Sequence, residues 1–349
     1  MNEQPDGFMD RLTAHLDRGW ELVGRGDLNG AMASAEQTLQ LDDASPDAHN
    51  LIGYIHAANG NVEMALDHYR QAIEFDEYYL EAMLNAAELL IHPLAEFAEA
   101  IRVLDQALEC CQSADEIADA SVLKVDALIQ LGDRAAAAEL LESLPEGPYD
   151  NVQLDFLIGR ARLELGQTDK AAPLLERAAT RVGAPADAHY YLGLLRESQE
   201  RRSDAALAFL KTRHLDAQAP RSPWAPSPER FEKVVQLALR ELPDELGKRL
   251  EGTLFMVTDL PGLEVVAEGV DPRAPLLVDD VPKSEDTEAH TRVFAYQRNL
   301  ERLVRHPLEL KEDLIEILSK ELAEQLKKSD QKSSSEEGPE ASAADAAES

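Results

Sequence analysis

Cysteine is almost absent: the 349 residues include two, Cys110 and Cys111, and these are adjacent. Neighbours in sequence cannot staple distant parts of a chain, so no disulfide framework is expected, and a reducing compartment is implied. The pair reads as small apolar filler near a helix end, with a reactive or metal-binding role as the alternative. Cations are scarce too, with 34 Lys and Arg against 67 Asp and Glu and a net charge of -33. Neutralising phosphates requires clustered Lys and Arg, which argues against nucleic acid and against anionic membrane surfaces as partners. Basic protein segments are what this charge attracts. No run of about 18 apolar residues occurs, which leaves no membrane-spanning helix. The opening MNEQPDGFMDRL lacks the basic-then-apolar order of a secretory signal, so a cytoplasmic location is the expectation. A serine nucleophile elbow, a Walker loop, a GxGxxG turn and CxxC are all missing, and none of their chemistries is signalled.

What the chain does have is a period. Gly19, Gly26, Ala31, Thr38 and Asp42 return 34 residues later as Gly53, Gly60, Ala65, Ala72 and Asp76, and Gly132/Gly166 and Gly159/Gly193 keep the same interval. A fixed period of this length predicts a solenoid of helical hairpins. Residues 186–219, ADAHYYLGLLRESQERRSDAALAFLKTRHLDAQA, place Leu192, Gly193, Ala205, Phe209 and Thr212 in a pattern that resembles the tetratricopeptide repeat. The residue types follow from packing. Gly midway along the first helix admits the second helix closely, Ala on the second helix receives it, and large residues such as Tyr69 and Phe209 fill the space against the following repeat. In this frame repeats begin near residues 12, 46, 80, 118, 152 and 186. The third carries an insertion around His92-Pro93, and the fourth is displaced by a polar connector near Ser113-Ala114-Asp115.

The resemblance implies a right-handed solenoid over residues 8–216 whose concave face is lined by positions 2, 5, 9, 12 and 13 of each first helix. Those positions hold the aromatics Trp20, Tyr54, Phe156 and Tyr190. They also hold Asp47, Glu81, Glu88, Asp119, Asp126, Glu164, Asp187 and Glu197 against a single cation, Arg160. Asn50 and Asn85 lie on the same face, but the sign is wrong for clamping a carboxylate terminus. Either the acids merely solubilise the protein, or the groove takes a basic, partly apolar segment with the aromatics as anchors.

After Asp216 the period stops. Residues 217–229, AQAPRSPWAPSPE, contain four prolines and read as a linker; Trp224 within it reads as a packing tether or, alternatively, a site. Over residues 230–327 an amphipathic helix starting near Phe231 is expected, then strands in GTLFMVTDLP, APLLVDDVP and TRVFAYQRNL. A final helix follows with Leu310, Leu314, Leu318, Leu322 and Leu326 on one stripe. FEKVVQLALRELPDEL and RVFAYQRNLERLVRHPLELKEDLIEIL, in that order, resemble the minimal-zincin bacterial metallopeptidases. That resemblance implies an α/β domain whose last helix carries HExxH. Here the aligned string is Lys320-Glu321-Leu322-Ala323-Glu324. Glu321 stands at the general-base position and Asp330 at that of an acidic third ligand, but both imidazoles are gone. Neither His290 nor His306 rebuilds the pair, and His306 reads as a surface residue. No metal, no cofactor and no catalytic residue is therefore expected, Glu321 and Asp330 being vestiges. The tail, residues 328–349, is Ser-, Ala- and Glu-rich and is expected to be disordered.

The sequence thus describes a mainly α protein: a helical solenoid, a small degenerate zincin-like α/β domain and an acidic tail. Its expected role is an adaptor or scaffold whose groove holds a protein partner through basic and apolar segments. The alternative is a metallopeptidase with non-standard ligands whose repeats recruit substrate.

Overall fold

The computed structural model describes residues 5–281 and 290–336. The chain forms two compact units, Met1–Val182 and Gly183–Ser349. The division therefore falls ahead of the sixth hairpin, and the Pro-rich stretch 217–229 expected to separate domains lies inside the second unit.

The first unit is five stacked antiparallel hairpins: α1 (Pro5–Gly24) with α2 (Leu28–Leu41), α3 (Pro46–Ala58) with α4 (Val62–Phe75), α5 (Leu80–Ile91) with α6 (Phe97–Cys110), α7 (Ala114–Leu131) with α8 (Arg134–Glu142), and α9 (Leu154–Glu164) with α10 (Thr168–Thr180). The recurring residues explain the repetition. A Cβ at Gly53 would stand 2.6 Å from Cε1 of Tyr69, so the ring of the second helix lies directly on the bare backbone of the first. Tyr69 thus packs within its own hairpin as well as against Ala82 and Ala86 of the next, not only against the following repeat. The other glycine series forms the hairpin turns, where Gly26, Gly60, Gly132 and Gly166 have φ between 77° and 90°, a left-handed conformation that costs residues with a Cβ. Asp27, Ser45 and Asp133 cap the next helices by accepting from Gly30, Ala48 and Ala136 N–H groups. Ser113-Ala114-Asp115, expected to be a connector, is the start of α7: Ser113 and Glu116 form a reciprocal capping box.

The second unit begins with the sixth hairpin, α11 (Ala186–Ser198) and α12 (Arg202–Gln218), followed by α13 (Pro228–Arg240), α14 (Asp244–Arg249), β1 (Leu254–Thr258), α15 (Leu263–Ala267), β2 (Leu276–Val281), β3 (His290–Tyr296), α16 (Gln297–Glu301) and α17 (Leu310–Glu336). The strands form one sheet in the order β1-β3-β2, with β1 parallel and β2 antiparallel to β3, in register at Leu254↔Arg292 and Leu276↔Ala295. All three strand candidates become strands, although Gln297–Glu301 of the third segment turns helical. Phe231, Val235 and Ala238 of α13 and Leu314, Leu318 and Leu322 of α17 bury completely with Leu276, Val293 and Ala295 of the sheet. The leucine stripe is therefore the core-facing side of α17. That helix continues to Glu336, through the first part of the tail expected to be disordered; residues 337–349 lie outside the described residues.

The sixth hairpin is covered by α15. Val266 is fully buried against Ala205 and Phe209, with Tyr190, Leu194 and Leu210 around it. The helix starting near Phe231 belongs to the other core. Phe209 is held from both sides, since a Cβ at Gly193 would come within 2.3 Å of its Cε1. The turn of this hairpin places Glu200 at φ 59°, where four of the five hairpins of the first unit have glycine and the third has Ala95 at φ 56°. We expect Gly193→Ala to destabilise the second unit by about 1–3 kcal/mol through overpacking. Glu200→Gly should stabilise it by about 1 kcal/mol by relieving the left-handed conformation. Urea melts of the full chain check both, and a destabilising Glu200→Gly would contradict the strain argument.

Candidate partner-binding face

The side chains assigned to the concave face in the first unit fall into two classes. Around α3 and α5 they form an aromatic and acidic patch. Trp20 and Tyr54 meet edge to face with ring centroids 5.4 Å apart, and Tyr54 remains 40% exposed. The Tyr79 hydroxyl donates to Asp47 Oδ1 at 2.7 Å, and Asn85 Nδ2 donates to Asn50 Oδ1 at 3.1 Å. Burial, then the Asp47 carboxylate, drives the Tyr79 phenol well above its ordinary pKa. Glu81 and Glu88 are exposed, and no cation pairs with either among the described residues. Both lie near the buried Tyr69 hydroxyl, together with Tyr54: burial foremost, then Glu88, Tyr54 and Glu81, raise that phenol's pKa.

Further along, the acids are already in use. Asp126 accepts from Arg160 Nη2 at 3.3 Å and pairs with His92 Nε2 at 3.1 Å, and its side chain is only 12% exposed. Arg160 also reaches Glu164, at 3.7 Å. Asp119 accepts from Asn151 Nδ2 at 2.8 Å, and Phe156 is half-buried. Asp126, expected to be a partner contact, is a joint between α7, α9 and the loop after α5. The two cysteines suit the filler reading: burial first, and nearby carboxylates, push both thiols up, Cys111 to about 11, so neither has the thiolate character of a reactive cysteine.

In the second unit the corresponding face of the sixth hairpin is occupied by the chain itself. Asp271-Pro272-Arg273 lies against α11. Arg273 stands 4.6 Å from the centroid of the Tyr190 ring and pairs with Asp187 at 2.6 Å and with Asp216 at 3.1 Å. The Tyr190 hydroxyl donates to Asp271 Oδ2 at 2.9 Å. Asn299 Nδ2 fixes the loop by donating to the Pro272 and Ala274 carbonyls at 2.9 and 2.8 Å. Asp216, 4% exposed, also pairs with Arg302 at 2.7 Å, and Arg298 Nη1 donates to its backbone carbonyl at 2.9 Å. Burial alone would raise the Asp216 pKa; its bonds to Arg273 and Arg302 outweigh that and hold it below the usual carboxylate range. Sequence reasoning passed over Asp216, Arg273, Arg298 and Arg302. The one signal was the place of Asp216 at the repeat position of Asp42 and Asp76.

The sequence profile of the tetratricopeptide repeat matches residues 16–79 and 156–220, which span α3, α4, α11 and α12 and most of their neighbours. The chain carries tetratricopeptide repeats. Two solved structures share the fold. PilF of Pseudomonas aeruginosa aligns at 19% identity over 60% of this chain and 93% of its own, with a TM-score of 0.52. PilW, a widely conserved type IV pilus biogenesis factor, aligns at 19% identity over 59% and 91%, with a TM-score of 0.50. No curated protein matches by sequence.

The residues of α17 do not fit a zinc ion. Lys320 and Glu324 are exposed and Glu321 is half-buried, and among the described residues no three His, Cys, Asp or Glu side chains are placed to share a metal. Glu321 and Lys320 border a cleft of about 160 Å³ with Leu303, Arg305 and Asp313. Asp313 is committed there, accepting from the Arg305 and His306 backbone N–H groups at 2.6 Å each. The exposed His306 ring lies 3.3 Å from the same carboxylate. The side chains of His290 and Asp330 lie outside those described.

Removing one partner from a buried ion pair leaves an uncompensated charge, so Asp216→Asn should destabilise the second unit by about 3 kcal/mol. Because the folded pKa of Asp216 is depressed, its contribution is complete above the unfolded carboxylate value of about 4. It is lost as pH falls through the folded value. Melts of wild type between pH 7 and pH 3 should therefore lose a stability increment that Asp216→Asn does not lose, and parallel curves would contradict this.

Proposed function

We propose that this chain is a protein-binding scaffold whose tetratricopeptide groove holds a basic, partly apolar segment of a partner. The observation that carries the reading is the patch on the second and third repeats. Exposed Tyr54 stands beside Trp20, and Glu81 and Glu88 pair with no cation among the described residues. Structural carboxylates in this protein find arginines, as Asp126, Asp155 and Asp216 do; carboxylates left exposed beside aromatics supply both attraction and contact area for a cationic segment. The proposed contacts are Trp20, Asp47, Asn50, Tyr54, Glu81 and Glu88, whereas Asp126, Arg160 and Tyr190 already serve the fold. Two free cysteines suit a cytoplasmic setting. The double change Glu81→Lys with Glu88→Lys should leave the helical melt unchanged and reduce capture of the native partner severalfold. Wild-type capture should itself weaken as salt rises and the Debye length contracts. Unchanged capture by the double variant would move the interface off this face.

For residues 230–327 we propose a catalytically inactive zincin-like module. The support is the order of helix, strands and final helix, together with the replacement of both imidazole positions of HExxH by Lys320 and Glu324. Because both positions are exposed on α17, Lys320→His with Glu324→His should fold and gain zinc affinity, measured by calorimetry with zinc alone. A folded double variant that binds no zinc would count against the zincin relationship. In wild type, Glu321→Gln should change no peptidase or binding readout.

A further inference from the structure

The second unit shows how this chain accommodates a cation on the concave positions of a repeat. Asp187 and Tyr190 occupy positions 2 and 5 of the sixth repeat's first helix, and the side chain set against them is an arginine. Its guanidinium stacks over the phenol ring at 4.6 Å while its N–H groups reach Asp187 and Asp216. Flatness, a spread charge and several in-plane donors let one group stack and form ion pairs at once. An ammonium cannot do both. The loop that delivers it is a proline-containing turn, Asp271-Pro272-Arg273-Ala274, closed by the Ala274 N–H donating to the Asp271 carbonyl at 3.1 Å, and is gripped through its carbonyls by an asparagine amide, Asn299.

Aromatic and acidic side chains also meet on this face in the first unit. Tyr54 presents an exposed ring edge-on to Trp20. Exposed Glu81 and Glu88 stand at positions 2 and 9 of the next repeat's first helix, α5, and Asp47 of α3 is bonded to Tyr79 at the start of that helix. At the base of this patch Asn50 is fully buried, its Oδ1 accepting from Asn85 and its amide beside the Tyr79 hydroxyl. We infer that this patch recognises an arginine-bearing protein segment, the guanidinium lying on Tyr54 and drawing on the carboxylates of Glu81 and Glu88. The inference rests on the groove-binding reading above and narrows it from a basic segment to an arginine side chain.

The test uses the full chain and a fluorescein-labelled nonapeptide of alternating leucine and arginine around one proline. Copies carry lysine or citrulline in place of every arginine, and binding is followed by anisotropy at low and at about 0.5 M salt. The arginine peptide should bind, the lysine copy about tenfold more weakly, and the neutral citrulline copy not measurably. Tyr54→Phe should retain arginine binding, whereas Tyr54→Ala and the pair Glu81→Gln with Glu88→Gln should each weaken it about tenfold or more. The glutamine pair sits on exposed positions and keeps the test valid should Tyr54→Ala lose the fold. Equal binding of the arginine and lysine peptides, both lost in the glutamine pair, would overturn the guanidinium inference and leave the groove reading standing. Arginine binding untouched by the glutamine pair would overturn the placement at this face. Binding of none of the peptides, with native-partner capture still dependent on Glu81 and Glu88, would overturn the inference alone.

Discussion

The contact between the two helices of a hairpin sets the scale for everything else in this protein. At Gly53 and Gly193 the first helix offers no Cβ, and an aromatic ring of the second helix lies on its backbone, closer than any side chain would permit. Alanines at Ala65 and Ala205 keep the rest of the interface thin. Helices this close leave room inside the hairpin for little besides small residues and one ring. The larger apolar side chains must then be shared with the next element, which is why Tyr69 serves two repeats. In the sixth hairpin no further repeat follows, and Phe209 takes its outer cover from Val266 of α15. The C-terminal part of the chain therefore attaches at the place where the repeat pattern would otherwise expose an aromatic ring.

Charge is organised around a shortage of cations. With about half as many basic as acidic side chains, each arginine that is spent inside the fold marks a joint. Asp155 takes Arg177 and Arg181, Asp126 takes Arg160, and Asp216 takes Arg273 and Arg302. Buried pairs of this kind contribute little net stability relative to apolar packing, yet they penalise any arrangement that leaves one member alone. Here we read them as fixing how successive elements meet. The loop at Asp271-Pro272-Arg273 is positioned by that requirement together with Asn299.

What could be read in the sequence was local and periodic. The glycines and alanines at fixed intervals located the hairpins, alternating apolar segments located three strands, and the leucines of α17 announced its buried face. What could not be read depended on partners far away in the chain. Val266 sits in a five-residue helix with no periodicity to mark it as the cover for Phe209. The serine at 113 looked like connector chemistry, although with Glu116 three residues on it is a helix start whose signal was available. The tail helix extends past Leu326 to Glu336, where Lys and Gln of good helix propensity alternate with Ser and Asp and composition alone suggested no structure.

The acidic positions of the groove show why a repeat frame locates a face but not its function. Asp126 and Glu88 share position 9 of successive repeats, and the frame treats them alike. Asp126 faces Arg160 and His92 and is largely removed from solvent. Glu88 is exposed, with no cation beside it among the described residues. The difference lies in what the neighbouring repeat offers: Arg160 occurs once, in the fifth repeat, and neutralises the groove locally, leaving the second and third repeats as the part of this face with uncompensated charge beside exposed aromatic surface. Binding specificity in such an array is therefore set by where its few cations are placed, since every carboxylate without one remains available to a cation brought by a partner.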